Sequence, residues 1–229
     1  MTTKRVSSLT ASSWILGLTA LLLLPSTGEV WGATITVTNP GFETPTLSDD
    51  GSVWGVSGWP SSATNVAKTW NPTTSWFPSE APEGQNVAFV NGTGNFIMQN
   101  LSSASVAADL TYTLEVDVGT RLGDGGTGWA YSVDLVIADT FDVAGILAQD
   151  FSSLSPSPGQ FLTSTLTYTA PSSGPVIGQQ LAIRLRNWGT QQVHFDDVRL
   201  IVVPEPTSLF LLASGLIGML GSRRLRRPH

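Results

Sequence analysis

Apolar and polar residues alternate along much of this chain, and that alternation constrains its fold more than any other feature. Residues 111–118 read TYTLEVDV, with Tyr112, Leu114, Val116 and Val118 on one face and Thr113, Glu115 and Asp117 on the other. Successive strand side chains point to opposite faces, so the pattern predicts a half-buried strand. Residues 129–137 (WAYSVDLVI) align Trp129, Tyr131, Val133, Leu135 and Ile137, and residues 181–186 (LAIRLR) set Leu181, Ile183 and Leu185 against Arg184 and Arg186. Further strands are predicted over 35–38, 86–90, 96–101, 161–169 and 193–202, with Asn91-Gly92-Thr93-Gly94 as a turn between two of them. Short strands joined by Gly, Ser and Thr imply an all-β sandwich or jelly roll. The longest irregular stretch, about 44–85, carries Trp54, Trp59, Trp70, Trp76 and Phe77. Its aromatic residues predict an ordered, partly packed loop.

The two ends follow other rules. Lys4 and Arg5 precede an eleven-residue apolar run at 14–24, then Pro25 and the small residues Gly32 and Ala33. A helix of that length rises about 16 Å, short of a bilayer core of about 30 Å. This layout predicts a signal helix over 1–33, cleaved near Gly32 or Ala33. At the other end, Pro204 and Pro206 fix φ and remove two donors, which keeps the chain extended. An extended peptide is what a protease cleft binds as an added strand. A second apolar run, 209–220, predicts a short transmembrane helix, with Arg223, Arg224, Arg226 and Arg227 directly after it. Long basic side chains snorkel and hold their end in the cytoplasm, which puts the rest of the chain across the membrane.

Pro204, Glu205 and Pro206, then Ser208, the short apolar run and the arginine cluster together resemble the PEP-CTERM sorting domain. The resemblance implies recognition by an exosortase, a membrane cysteine protease-transpeptidase. It also implies passage through signal peptidase and the export machinery, a transient inner-membrane tether, and a Gram-negative surface or matrix linked to exopolysaccharide or biofilm. Setting aside 1–33 and 204–229 leaves 34–203 as one domain, long enough to bury roughly 70% of its unfolded surface. That domain holds five basic residues against fifteen acidic ones. So acidic a surface repels phosphate backbones and argues against nucleic-acid partners. The absence of cysteine excludes disulfides, thiolate zinc sites and a cysteine nucleophile.

Three short motifs carry a second resemblance: Asn39-Pro40-Gly41-Phe42-Glu43, then 81–89 (APEGQNVAF), then 193–200 (VHFDDVRL). Together they are similar to the galactose-binding-like jelly rolls of carbohydrate-binding modules and of many PEP-CTERM surface proteins. The resemblance implies a single jelly-roll β-sandwich and a structural Ca²⁺ tying the first strand to the last. Glu43 and Asp196 stand at the matching positions, with Asp197 as an alternate. Calcium takes six to eight oxygens, so backbone carbonyls would complete the shell. Capping and turn hydrogen bonds are the other use for these carboxylates.

Aromatic faces also suit sugar rings. Core packing is expected to claim most tryptophans, which leaves Trp76 and Trp188, in Ser-Trp-Phe-Pro and Asn-Trp-Gly contexts, as the expected exposed ligand contacts. No acidic pair is singled out by spacing for glycoside hydrolysis. His194 beside Asp196 and Asp197 reads as an ordinary strand residue, no serine sits in a nucleophile elbow, and no catalytic residue is assigned. The expectation is a non-enzymatic exported protein with a structural or interaction role. The alternatives are a carbohydrate-binding module for a defined glycan and a polysaccharide hydrolase.

Overall fold

Alternating residues become strands wherever one face can be buried, and the computed structural model, which describes residues 32–139 and 145–204, contains eleven of them. They are β1 (Ala33–Ile35), β2 (Ser52–Trp54), β3 (Ala67–Trp70), β4 (Val87–Val90), β5 (Phe96–Ser105), β6 (Leu110–Thr120), β7 (Tyr131–Ile137), β8 (Ile146–Phe151), β9 (Gln160–Thr169), β10 (Gln180–Asn187) and β11 (Val193–Pro204). One sheet runs β2-β3-β4-β11-β6-β9, with β1 beside the end of β11; the other runs β5-β10-β7-β8. The expected signal helix, the short transmembrane helix, and Glu205, Pro206, Ser208, Arg223, Arg224, Arg226 and Arg227 lie outside the described residues.

The core forms between the sheets. Leu114, Val116 and Val118 of β6 and Val193 and Phe195 of β11 meet Tyr131, Val133 and Leu135 of β7 and Leu181, Ile183 and Leu185 of β10, all inaccessible to solvent. Each such burial contributes about 1.5–3 kcal/mol. A polar knot also joins the layers. Asp150 of β8 accepts hydrogen bonds from the Tyr131 hydroxyl (2.6 Å) and from Ser164 of β9 (2.5 Å). Burial raises the Asp150 carboxyl, but the bonds from Ser164, Tyr131 and Ser153 outweigh it and bring it below its ordinary value. Burial and the same contact push the Tyr131 hydroxyl up to about 12.

Asn91-Gly92-Thr93-Gly94 turns the chain between β4 and β5 as expected, with the Asn95 N–H on the Gly92 carbonyl at 3.2 Å, and passes it from one sheet to the other. The structure departs from the pattern-based reading in two places. Trp129 precedes β7 instead of opening it, since residues Gly126–Gly128 make a 3-10 turn. Both sheets also bury parts of their outer faces. On the four-stranded sheet, Arg184 Nε donates to Asp134 Oδ2 at 2.8 Å with both side chains shielded. On the seven-stranded sheet, Trp70, Val87, Phe89 and His194 lie under the loop between β3 and β4. That second covered face positions the site described next.

Candidate active site

The covering loop begins with Asn71-Pro72 and turns sharply. Trp76 and Phe77 both donate backbone N–H bonds to the Thr73 carbonyl, at 2.9 and 3.2 Å. This single turn drives Phe77 inward, where its ring lies 4.6 Å from Phe161 and 5.1 Å from His194. Trp76 stays half-buried above the sheet, edge-on to Trp70 at 5.9 Å. Its carbonyl accepts the Leu122 N–H at 3.0 Å, which fixes the β6–β7 connection against the loop. That bond brings the Arg121 guanidinium 5.1 Å from the centre of the Trp76 ring, a cation–π distance, while Arg121 Nε pairs with Asp124 at 2.9 Å.

A second turn supplies a carboxyl. Gly51 N–H bonds the Ser48 carbonyl, and Asp50 and Asn71 are tied through Asp50 N–H to Asn71 O and Asn71 N–H to Gly51 O. Asp50 sits at φ 60, a left-handed conformation that Asp tolerates in turns. Its Oδ1 accepts the Trp70 indole N–H at 3.2 Å. The result is a cavity of roughly 210 Å³ lined by Asp50, Ser52, Trp70, Trp76, Phe89, Arg121 and Gln192. It has aromatic walls, one carboxyl and one guanidinium.

His194 stands behind the wall, its ring 5.7 Å from both Trp70 and Phe89. Neither ring nitrogen has a hydrogen-bond partner of good geometry. Burial, helped by the Arg121 charge and only weakly opposed by the Gly119 backbone, holds the imidazole down at about 3. It is therefore neutral at ordinary pH. No hydrogen bond joins it to Asp196 or Asp197 among the described residues.

The three sequence motifs converge at a different place. Glu43 Oε1 accepts the backbone N–H groups of Gln85 (2.9 Å) and Asn86 (2.7 Å), and Asp196 Oδ2 accepts that of Glu83 (2.9 Å). The Val198 N–H closes the triangle on the Pro40 carbonyl at 3.1 Å. Gly84, at φ +59, leaves room for the Glu43 carboxyl where a Cβ would lie 2.5 Å from Oε1. Asp197 turns aside to pair with Arg199 at 3.3 Å. Burial pushes the Asp196 carboxyl up to about 9 against the two backbone N–H bonds it accepts, and repulsion from Glu83 and Asp197 adds a smaller push in the same direction. The donors are hard oxygens of the kind calcium takes. Among the described residues no three acidic or histidine side chains form a ready ligand set. An ion here would draw on Glu43, Asp196 and backbone carbonyls.

Trp76 and Trp188 are not brought together. Trp76 covers the seven-stranded sheet, whereas Trp188 lies outside the four-stranded one, bonded to Ser132 Oγ at 3.1 Å and half-covered by Arg186 and Phe151. Neither is the freely exposed platform residue expected from its neighbours in sequence. Sequence reasoning passed over Phe89, Arg121 and Gln192 as site residues and left Trp70 among the tryptophans expected in the core. The usable signal was Val87–Val90 (VAFV), an unbroken apolar strand that must be buried on both faces.

The family model described as HpiC1-like (HpiC1 cyclase) matches residues 33–201, and the PEP-CTERM protein-sorting motif matches residues 202–227. A Stig cyclase, Fisc from Fischerella sp. TAU, in complex with (3Z)-3-(1-methyl-2-pyrrolidinylidene)-3H-indole, is 29% identical with a TM-score of 0.67, covering 77% of this chain and 100% of its own. A cyclase from Fischerella sp. TAU in complex with 4-(1H-indol-3-yl)butan-2-one is 30% identical with a TM-score of 0.66, covering 76% of this chain and 100% of its own. The apo form of a cyclase from Fischerella sp. is 29% identical with a TM-score of 0.66, covering 77% and 98%. No curated protein matches the chain. These findings overturn the expectation of a non-enzymatic protein. The likeness is to enzymes over nearly the whole sandwich, whereas likenesses to carbohydrate-binding modules stay at TM-scores of 0.38 and 0.46 and carry no argument. With a cyclase family model spanning both sheets and a sorting motif following directly, the chain belongs to the HpiC1-like cyclase family and carries a PEP-CTERM tag for export.

Proposed function

We propose that the sandwich is an exported cyclase that closes a ring within a small aromatic substrate of the indole class, held in the cavity under the β3–β4 loop. The observation that carries this reading is the cavity itself, with Trp70, Trp76 and Phe89 as walls and Asp50 as its one carboxyl. At roughly 210 Å³ it falls below the ~300–1,000 Å³ of pockets for drug-sized ligands. That volume suits one bicyclic ring system with a folded side chain and does not suit a run of sugars. The indole ligands of the two Fischerella complexes support the same class.

Ring closure within one molecule makes three demands. The side chain must be held near the ring, and good orientation supplies up to about 7–11 kcal/mol of the barrier. Positive charge developing on carbon must be stabilised, which aromatic faces do through their quadrupoles. A proton must move: one adds to the unsaturated side chain, the electron-rich ring carbon attacks the carbon so activated, and the proton on that ring carbon leaves, so the product is an isomer. Asp50, fixed by the Trp70 N–H, is placed to hold or pass that proton. His194 stays neutral behind Trp70 and Phe89 and shapes the wall. Tag processing by an exosortase would follow delivery across the inner membrane of a Gram-negative cell, and a structural calcium held by Glu43 and Asp196 would brace the three converging motifs.

Calorimetric titration of 4-(1H-indol-3-yl)butan-2-one tests the site. Saturable binding is expected for the wild type, with at least about a tenfold loss for Trp76→Ala, equal to about 1.4 kcal/mol. Equal affinity in the two proteins would place the ligand elsewhere.

A further inference from the structure

The cavity under the β3–β4 loop offers more hydrogen-bond donors than a neutral indole can use. Arg121 is held there from two sides. Its Nε bonds Asp124 at 2.9 Å, and its guanidinium carbon lies 5.1 Å from the centre of the Trp76 ring. Among the described residues no other group accepts a hydrogen bond from it. Arginine's planar fork carries further N–H donors on both Nη atoms, so that edge is left for a ligand. Gln192, just before β11, lines the same cavity, and its side-chain amide has no partner among the described residues. Ser52 accepts from the Lys68 ammonium at 3.3 Å and still has its own O–H to donate. Against these donors stands one carboxylate, Asp50, whose Oδ1 already takes the Trp70 N–H.

Charge sets this place apart from the rest of the domain, where five basic side chains face fifteen acidic ones. Three of the five are used elsewhere. Arg184 pairs with Asp134, Arg199 with Glu115 and Asp197, and Arg186 lies against the rings of Phe96 and Trp188. The remaining two, Lys68 and Arg121, both stand at the cavity. Bracing the loop does not call for a guanidinium, because the Leu122 N–H already ties the β6–β7 connection to the Trp76 carbonyl. A ligand that dried the Nη edge without supplying acceptors would leave donors unpaired, which is costly.

We infer that the substrate carries a carboxylate on its side chain and that Arg121 and Gln192 bind it. The aromatic half lies among Trp70, Trp76 and Phe89. The carboxylate meets the Nη edge of Arg121 through parallel N–H bonds, the geometry in which a guanidinium holds an anion most firmly, and the Gln192 amide donates to it as well. Asp50 is anchored on Trp70 and Arg121 on Trp76, so the proton-handling carboxylate and the anion-binding group belong to different walls. Arg121 is then a specificity residue: the carboxylate it holds takes no part in the bonds made and broken. This assignment rests on the cavity being the reaction site and adds the ionic class of the substrate.

A matched pair of ligands provides the test. 4-(1H-indol-3-yl)butan-2-one and 3-(1H-indol-3-yl)propanoate share one skeleton, with an oxygen of the acid in place of the ketone's terminal methyl. Both are titrated calorimetrically into the full chain in detergent micelles at pH ~7, where the acid is ionised, and titrations into micelles alone are subtracted. Wild type is expected to bind the acid at least about tenfold more tightly than the ketone. Arg121→Gln should cost the acid at least about tenfold more than it costs the ketone, and Gln192→Leu should narrow the acid's advantage several-fold. The first comparison is made in the wild type, so it does not depend on a variant that folds. Equal or weaker affinity for the acid in wild type would overturn the carboxylate site, and saturable ketone binding would then leave the cyclase reading standing. An advantage for the acid undiminished in both variants would place the carboxylate elsewhere and overturn the site too. Binding of neither ligand would remove the carboxylate site and the cavity reading together.

Discussion

At the residue scale, the most informative side chain is His194. It occupies an outward position on β11, where alternation predicts a polar residue meeting solvent, yet Trp70, Phe77 and Phe89 enclose it. Its imidazole is neutral in the folded protein down to about 3, while the unfolded chain takes a proton near 6.5. A depressed folded value means that the associated stability is complete above pH ~6.5 and is lost as pH falls toward 3, at up to about 1.4 kcal/mol per pH unit. His194→Leu should flatten this loss, so that wild type weakens more steeply than the variant between pH ~6.5 and ~4 in urea unfolding. Parallel curves would show that His194 is not the titrating group. The same alternation sends Phe195, one residue on, into the core as the period demands. What hid the histidine is a loop that no local pattern reveals. The path of residues 71–86 depends on contacts such as Leu122 N–H to Trp76 O, made across a long stretch of sequence.

At the element scale, strands with one buried face were legible, and β6, β7, β10 and β11 lie where the period-two reading put them to within a few residues. β2, β3 and β8 were not. Ser52–Trp54 is short and exposed, Ala67–Trp70 does not alternate, and Ile146–Phe151 opens on three successive half-buried residues. These three owe their pairing to neighbours, not to their own sequence. The motifs around Glu43, residues 81–89 and Asp196 were legible as a group, and the structure shows why: backbone N–H groups of the second are bonded by carboxylates of the first and third. The Tyr131–Asp150–Ser164 knot was invisible because its members are far apart in sequence. It joins the sheets where β8 meets β9, so Asp150→Ala should strand a buried phenol and a buried serine and cost about 3 kcal/mol in chemical unfolding. A loss under about 0.5 kcal/mol would remove the knot from the account of sandwich stability.

At the scale of the whole molecule, one strand organises everything. β11 carries the cavity wall at its start, the Asp196 carboxylate in its middle and the sorting motif at its end. Asp196 titrates near 9 in the fold against an ordinary value near 3.8, so the native state holds its proton more tightly than the unfolded chain. Its contribution is then complete below pH ~4 and lost as pH rises toward 9, unless a cation sits beside the carboxylate. Calcium should raise the melting temperature more at pH ~8 than at pH ~5, because a ligand selective for the native state stabilises it, and chelation should reverse the gain. Identical melting with calcium and with chelator at both pH values would leave Glu43 and Asp196 as loop clamps alone. The sorting end was readable because its three parts lie in sequence order. The cavity end was not, because Asp50, Trp70, Phe89, Arg121 and Gln192 meet only once the seven-stranded sheet and the loops over it have formed.

The most direct test of the cyclase reading is chemical. Linear 3-substituted indoles with unsaturated side chains are incubated with wild type, Trp76→Ala and Asp50→Asn, and the products are separated by chromatography with mass detection. Wild type should convert at least one of them to an isomer of unchanged mass and shifted retention, with the rate falling by about 10²-fold or more in Asp50→Asn. An isomer formed equally fast by all three proteins would contradict a reaction in this cavity.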